Sequence, residues 1–357
     1  MSSWRHRHAA VAAAVALVIG LVAWSLGAKA VGGADSYGYV SQATAWRAGA
    51  LVVHDPLVDR EHPPFSRWAL APLGWRPDVD GWTQVPVYSP GYPLMLAAAS
   101  AAGGARAAFA VVPCCAALLV LATYALGRAL ARPWSGVVAA VLVATSAAVL
   151  YQAMLPMTDI PSAALWTLVL AGCLDRRRVA VAAVGFAAAL GILVRPNLVG
   201  IVAIAAAWLC VVDAQEYRGR LRAWRLPWFV PMPILAAVVN AMHNATLYGS
   251  PWRSGYGDLS SHYAWANAAS GAADYLRYLA SSATPLAPVA VLVALLSPWL
   301  LERGPARRAA WLFAPVTALV VVTYVFYDVH DAWWYLRFVL PVFPIAALTS
   351  VLVLTSG

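Results

Sequence analysis

The feature that most constrains this chain is a succession of long apolar segments that runs through its whole length. A transmembrane helix needs about 20 mainly apolar residues, and ten segments approach that length. They lie near residues 9–31, 106–127, 134–151, 158–174, 179–194, 197–212, 226–247, 284–301, 309–327 and 338–355. The sequence therefore predicts an all-α polytopic membrane protein with about ten transmembrane helices, as a single domain over residues 1–357.

The composition excludes a soluble protein. Hydrophobic residues make up 62% of the chain and charged residues 11%, whereas soluble domains carry about 25% charged residues. All four cysteines lie inside apolar segments, where a thiol packs as a small hydrophobic group. The cysteine spacing predicts neither a zinc site nor a secreted disulfide framework. We expect no cofactor and no bound metal.

The basic residues predict the orientation in the membrane. Of the 24 Lys and Arg residues, 14 fall in alternate loops, and such loops are cytoplasmic in membrane proteins. These loops lie near residues 5–7, 128–132, 176–178, 218–225 and 303–308. Both termini are then cytoplasmic, with an uncleaved first helix. The net charge of +9 is a signal of topology, so nucleic acid is not an expected partner.

The opposite side carries the irregular sequence and most of the acids. Residues 32–105 form a long first extracytoplasmic loop, rich in Pro, Trp and Asp. Its tryptophans predict short helices along the membrane surface. Residues 36–49 fit one such helix, with Tyr39, Ala43 and Trp46 on one stripe. Because 11 of the 15 acids lie on this side, we expect the chemistry to be extracytoplasmic.

Two of these acids have both a structural and a functional interpretation. Asp35 follows the first apolar segment and could cap a helix that begins at Ser36. It could equally take a proton from a hydroxyl, since partial burial raises a carboxyl pKa. Asp159, in Met157-Thr158-Asp159-Ile160-Pro161, could cap the fourth segment or be a functional acid inside the membrane.

Two arginines leave a similar choice open. Arg195 lies in the short turn between two apolar segments, where a guanidinium can extend to water or hold a phosphate bidentately. Arg337 follows Trp333-Trp334-Tyr335-Leu336 and offers the same two possibilities. The aromatic residues beside it fit an interfacial belt or a surface on which a sugar ring stacks.

The order of these motifs resembles the GT-C superfamily of membrane glycosyltransferases. Bacterial protein O-mannosyltransferases and lipid A aminoarabinose transferases are similar in kind. The segments that carry the resemblance all fall on the predicted outer side. They are Gly33-Ala34-Asp35-Ser36-Tyr37, Tyr88-Ser89-Pro90-Gly91-Tyr92-Pro93-Leu94, Thr158-Asp159-Ile160-Pro161, Val194-Arg195-Pro196-Asn197, Tyr248-Gly249-Ser250-Pro251 and Trp333-Trp334-Tyr335-Leu336-Arg337-Phe338.

The resemblance implies a GT-C-like bundle in the bacterial plasma (inner) membrane. It implies transfer of a hexosyl or pentosyl group, with inversion, from a polyprenyl-phosphate donor to a glycan, lipid or protein acceptor. Asp35 would be the catalytic base and Asp159 a second catalytic carboxylate, while Arg195 and Arg337 would bind the donor phosphate. The expected substrate-binding residues are Tyr37, Tyr88, Tyr92, Trp334 and Tyr335.

The sequence departs from these families in two places. Protein O-mannosyltransferases have Glu directly after the first-loop Asp, whereas Ser36 follows Asp35 here, which argues against a protein mannosyltransferase. The sequence also ends soon after the tenth segment, so we expect acceptor recognition to be reduced or supplied by a partner. The alternative hypotheses are a non-catalytic transporter or flippase of a lipid-linked sugar, and a catalytically inactive assembly subunit. A transporter is disfavoured because no internal repeat is evident and the polar residues gather at one face.

Overall fold

The computed structural model describes residues 2–54, 67–78, 83–218, 220–257, 262–328 and 332–356, with side chains from residue 6 onward. Several acids of the predicted outer loops lie outside these described residues. They are Asp55, Asp59, Glu61, Asp80, Asp258 and Asp331.

Helices dominate the described chain. The first half contains α1 (Ser2–Leu26), α2 (Gly33–Arg47), α3 (Gly91–Gly103), α4 (Ala105–Ala129), α5 (Pro133–Thr145), α6 (Ala147–Ala153), α7 (Asp159–Cys173) and α8 (Arg178–Val194). The second half contains α9 (Pro196–Glu216), α10 (Leu226–Tyr248), α11 (Trp265–Ala283), α12 (Ala287–Leu300), α13 (Pro305–Val325) and α14 (Trp333–Leu354). Proline begins α5, α9 and α13, at a position where its missing N–H would be unpaired in any case.

The structure confirms a polytopic helical membrane protein but not the count of ten spans. Within the described residues, six helices are long and apolar enough to cross a membrane: α1, α4, α9, α10, α13 and α14. The pair α5 and α6 is bent by 64° and the pair α11 and α12 by 118°, which gives up to eight spans if each pair counts as one. The remaining two predicted segments form α7 and α8. At 15 and 17 residues they are only about 22 and 26 Å long, against about 30 Å of hydrocarbon.

The first predicted loop contains both the expected helices and a small sheet. The stripe predicted on α2 is confirmed, since Tyr39 and Ala43 are buried and the Trp46 ring packs on His243. Between α2 and α3 lies an antiparallel sheet with strand order β1–β3–β2, which the sequence analysis did not predict. Its strands are β1 (Val53–His54), β2 (Trp75–Pro77) and β3 (Thr83–Pro86). Strands of two to four residues are too short to show an alternating pattern in the sequence.

Helix packing brings one set of helix ends together. Helix α7 packs between α4 and α8 and also against the first turns of α14, while α2 packs on α3. The start of α3 rests on the end of α8 at Gly91, where a Cβ atom would lie 2.4 Å from the carbonyl carbon of Leu193. A glycine is therefore required at this contact. The start of α7, the end of α8 and the start of α14 meet beside α2.

Candidate active site

Asp35 lies in the first turn of α2, where its carboxylate has two partners. The Tyr88 hydroxyl donates to Oδ1 at 2.8 Å, and Nη1 of Arg337 donates to Oδ2 at 2.9 Å. The capping interpretation is wrong, because α2 begins at Gly33 with Gly32 at the N-cap and no side-chain cap. The Asp35 side chain is 32% exposed, so a ligand can reach it.

Tyr88 reaches Asp35 because Gly38 leaves room for its ring. A Cβ atom on Gly38 would lie 2.2 Å from Cε2 of Tyr88, so any side chain there would displace the ring. The Tyr39 ring supports Tyr88 from the other side, at a centroid distance of 4.4 Å. Burial and the nearby negative charge of Asp35 raise the pKa of Tyr88 well above its usual value. The phenol therefore stays protonated and remains a hydrogen-bond donor.

Asp159 and Arg195 form a second ion pair at the end of α8. Nη2 of Arg195 donates to Oδ1 of Asp159, and its Nε donates to the Thr158 hydroxyl at 3.3 Å. Thr158 occupies the N-cap position of α7, but neither it nor Asp159 makes a side-chain cap. The Asp159 side chain is fully buried and that of Arg195 is 10% exposed. Among the described residues, Oδ2 of Asp159 and Nη1 of Arg195 have no hydrogen-bond partner.

Both ion pairs lie close to one aromatic ring, that of Phe338. The guanidinium carbon of Arg195 lies 5.2 Å from the Phe338 ring centroid, and that of Arg337 lies 4.8 Å from it. The Tyr324 ring stacks on Phe338 at 4.9 Å, and its hydroxyl accepts a hydrogen bond of 2.9 Å from Asn197. Both guanidinium groups therefore lie beside the same ring.

Direct contacts also join α2 to the start of α7. The Ser36 hydroxyl lies 3.3 Å from the Met157 sulfur, and the hydroxyls of Tyr39 and Thr158 are 3.4 Å apart. The four charged residues singled out in the sequence, Asp35, Asp159, Arg195 and Arg337, therefore surround one region. It contains a partly exposed carboxylate, two guanidinium groups and a protonated phenol, which suits proton removal beside an anionic leaving group.

The predicted substrate-binding aromatics fall into two groups. Tyr88 contacts Asp35, and the ring of Tyr335 lies 5.8 Å from the guanidinium carbon of Arg337. Tyr92 is fully buried beneath Tyr39, with its ring edge-on to it at 5.1 Å, so it supports the site from below. The structure does not bring the other two into the site. They are Tyr37, on the outer face of α2, and Trp334, packed on Trp333.

The sequence analysis did not assign several residues that complete the site. They are Tyr39, Thr158, Asn197, Tyr324 and Phe338. Three of them lie inside the motifs that carry the resemblance: Thr158, Asn197 and Phe338. Tyr39 lies one helical turn after Asp35. Their closeness in sequence to the predicted site residues could have identified these four. Tyr324 lies in an apolar span where nothing in the sequence distinguishes it.

Comparison with known proteins gives a match in fold alone. No protein-family model matches the sequence, and no curated protein matches it. The structure is similar to the crystal structure of ArnT from Cupriavidus metallidurans bound to undecaprenyl phosphate. The TM-score is 0.57 and the identity 15%, over 97% of this chain and 59% of that one. The chain has an ArnT-like fold.

The apo-state structure of the same ArnT is also similar. Its TM-score is 0.51 and its identity 17%, over 96% of this chain and 59% of that one. The resemblance to GT-C enzymes predicted from the sequence is thus confirmed at the level of fold. This ArnT-like chain spans 59% of the length of the ArnT it matches.

Proposed function

We propose that the protein is an integral-membrane glycosyltransferase. It moves a sugar from a polyprenyl-phosphate donor to a hydroxyl or amine of an extracytoplasmic acceptor, with Asp35 as the base. The observation that carries this proposal is the pairing of Asp35 with Arg337 and Tyr88, directly beside the Asp159–Arg195 pair. One region thus holds a base for the acceptor and two cations for the leaving phosphate.

The donor phosphate binds between the two arginines. Arg195 Nη1 and Arg337 Nε are buried N–H donors with no hydrogen-bond partner among the described residues. A phosphate oxygen can therefore accept from each guanidinium without breaking either ion pair. An unpaired buried donor costs about 1–3 kcal/mol, so phosphate binding also removes a penalty present in the free protein. The ArnT with the similar fold was crystallised with undecaprenyl phosphate, which supports a lipid phosphate as ligand.

The reaction is a single displacement at the anomeric carbon. The acceptor oxygen or nitrogen forms a bond to that carbon while the bond to the phosphate oxygen breaks. Asp35 takes the acceptor proton, and the phosphate leaves with the electron pair of the broken bond. Arg195 and Arg337 stabilise the charge that develops on the leaving oxygen. Attack from the face opposite the phosphate inverts the configuration.

The lengths of the two short helices support a site slightly below the membrane surface. Three arginines, Arg176, Arg177 and Arg178, precede or begin α8 and anchor the cytoplasmic ends of α7 and α8. The outer ends of these helices carry Asp159 and Arg195, about 22 to 26 Å away. Since the hydrocarbon is about 30 Å thick, these lengths support a site that is recessed by a few ångströms from the extracytoplasmic end of the hydrocarbon.

Transfer of labelled sugar from undecaprenyl-phosphate donors, in membranes containing each variant, tests the proposal. Asp35→Asn should lower the rate by about 10²–10⁴-fold, the usual contribution of a positioned base. Asp274→Asn is the matched control, because Asp274 pairs with Arg277 on α11 and should leave the rate unchanged. Full activity of Asp35→Asn would contradict its role as base. Movement of the intact donor across the bilayer without transfer would indicate a flippase instead.

A further inference from the structure

A cavity lined by both apolar and charged residues lies near the active site. It has a volume of about 570 Å³ and is formed by the small sheet and the segment that follows α10. Its lining includes Arg76, Asp78, Tyr248, Trp252 and Arg253. None of these residues belongs to the site of Asp35 and Asp159, and no step of the proposed reaction uses them.

The cavity carries a net positive charge with unused hydrogen-bonding capacity. Arg76 donates through Nη1 to the Gly255 carbonyl at 3.2 Å, but its Nε is buried without a partner among the described residues. The Arg253 side chain has no hydrogen bond or ion pair with any described residue. Asp78 is the opposing charge, and one of its carboxylate oxygens accepts a hydrogen bond from Thr83 at 3.2 Å.

The same cavity also presents surfaces suited to a sugar. Trp252 is 91% exposed, which leaves the face of its ring open for stacking. The buried hydroxyl of Ser254 has no partner among the described residues. An exposed indole beside the unpaired guanidinium of Arg253 fits a saccharide that carries a phosphate or a carboxylate.

A tight turn connects the cavity to the active site. Residues 254–257 close on themselves through the Gly257 N–H and the Ser254 carbonyl, 3.1 Å apart. Gly255 packs against Val87, the residue after β3. A Cβ atom on Gly255 would lie 2.1 Å from the Val87 carbonyl oxygen. On the other side of this turn, the Tyr256 ring meets the Tyr88 ring at 5.9 Å. Tyr88 in turn holds Asp35.

We infer that this cavity binds the acidic part of the acceptor, an anionic saccharide whose reacting group extends past Tyr256 toward Asp35. The identification of this ligand as the acceptor rests on the proposed function. Binding of an acidic sugar to the cavity can be measured independently of transfer. A phosphate and a carboxylate are both anions whose oxygens accept hydrogen bonds from arginine. Probes that carry one group or the other distinguish a phosphorylated sugar from a sugar acid.

Ligand-observed NMR on the full chain in lipid nanodiscs tests the inference, with glucuronic acid and glucose 6-phosphate as acidic probes. Methyl glucoside serves as the neutral sugar and inorganic phosphate as the anion without a sugar. At least one of the acidic sugars should bind about tenfold more tightly than methyl glucoside, or tighter still. Arg253→Gln should weaken the binding of that acidic sugar about tenfold. Arg106→Gln removes another exposed arginine, at the start of α4 and outside the cavity, and should change nothing.

Trp252→Ala separates sugar recognition from simple anion binding. It should weaken the acidic sugars but not inorganic phosphate, since only the sugar uses the indole face. Equal binding of neutral and acidic sugars, or wild-type binding by Arg253→Gln, would overturn the inference. So would equal binding of inorganic phosphate and the sugars with no effect of Trp252→Ala.

The variant Asp35→Asn keeps this test distinct from that of the proposed function. It should lower transfer by about 10²–10⁴-fold and leave binding of the acidic probes unchanged. If the probes bind as expected but the wild type transfers no sugar, the proposed function fails and the binding site stands. If transfer occurs while Arg253→Gln leaves the KM for an acidic acceptor unchanged, the inference fails and the proposed function stands.

Discussion

Two buried Asp–Arg pairs at opposite ends of the helix bundle use the same residue types in different ways. At one end, Asp213 accepts from Nε of Arg225 at 2.7 Å and from the backbone N–H groups of Arg225 and Leu226 at 2.6 and 3.0 Å. Arg225 also donates through Nη1 to the Asp175 carbonyl at 3.1 Å. Its Nη2 has no hydrogen-bond partner among the described residues, but it lies 3.9 Å from Glu216, a second acid. Every oxygen of the Asp213 carboxylate is therefore used.

The Asp159–Arg195 pair at the other end is incomplete. One carboxylate oxygen and one guanidinium nitrogen remain buried without a partner among the described residues. A buried pair gains stability only when its remaining hydrogen-bonding positions are filled. In the Asp213–Arg225 pair both carboxylate oxygens are used and Glu216 supplies a second negative charge, so this pair joins α9 to the start of α10 as a structural contact. The incomplete pair leaves positions that a ligand can fill, which is why we place the donor phosphate there.

The largest expected effect is on stability. Asp159→Asn leaves the buried Arg195 without its paired acid, and Asp213→Asn leaves Arg225 with Glu216 alone at 3.9 Å. Removing one partner of a buried ion pair costs about 3–5 kcal/mol. Unfolding in detergent or nanodiscs should show both losses. Undecaprenyl phosphate should restore part of the stability of Asp159→Asn, since it supplies a new anion to Arg195. If undecaprenyl phosphate stabilised Asp213→Asn equally, the proposed difference between a ligand-binding pair and a structural pair would be wrong.

The next effect concerns catalysis at the partly exposed pair. Arg337→Gln removes a cation from the leaving phosphate and should lower the transfer rate by about 10²–10³-fold, as loss of a stabilising donor does. Arg277→Gln is the control, since Arg277 is an exposed arginine paired with Asp274 on the same side of the molecule. Initial rates measured at saturating donor should separate the two variants, and equal rates would remove Arg337 from the mechanism.

A smaller effect is expected for Tyr88→Phe. Loss of one hydrogen bond to Asp35 should lower transfer about tenfold. The raised pKa of Tyr88 means that this bond is complete below the usual tyrosine pKa of about 10 and is lost only as the pH rises through the higher folded value. The ratio of wild-type to variant rates should thus stay constant from about pH 6 to about pH 10. A ratio that falls within this range would contradict the assignment.

Sequence reasoning identified the charged residues but not their pairing. Asp35, Asp159, Arg195 and Arg337 were each singled out because charge in an apolar chain is rare. The capping interpretation of Asp35 failed, since the helix begins at Gly33 and the carboxylate turns to Tyr88 and Arg337. Which acid meets which arginine depends on how the helix ends converge, and no local pattern encodes that.

The fold was predictable in kind and less so in detail. The apolar segments all formed helices, but the lengths of α7 and α8 and the two sharp bends could not be read from hydropathy alone. The small sheet was not predicted because its strands are too short to show a pattern of their own, and β1 pairs with β3 across 29 to 31 residues. The ion pair between Asp213 and Arg225 was not predicted either. Both residues lie at a predicted cytoplasmic loop, and charged residues are expected there whether or not they form a pair.

Equilibrium binding of undecaprenyl phosphate to the wild type, Arg195→Lys and Arg225→Lys tests the central claim most directly. Lysine keeps the charge but not the planar fork that holds two oxygens. We predict that Arg195→Lys weakens binding at least about tenfold, while Arg225→Lys lowers the melting temperature and leaves the Kd of the folded protein unchanged. Wild-type affinity in Arg195→Lys, or equal weakening in both variants, would contradict the account.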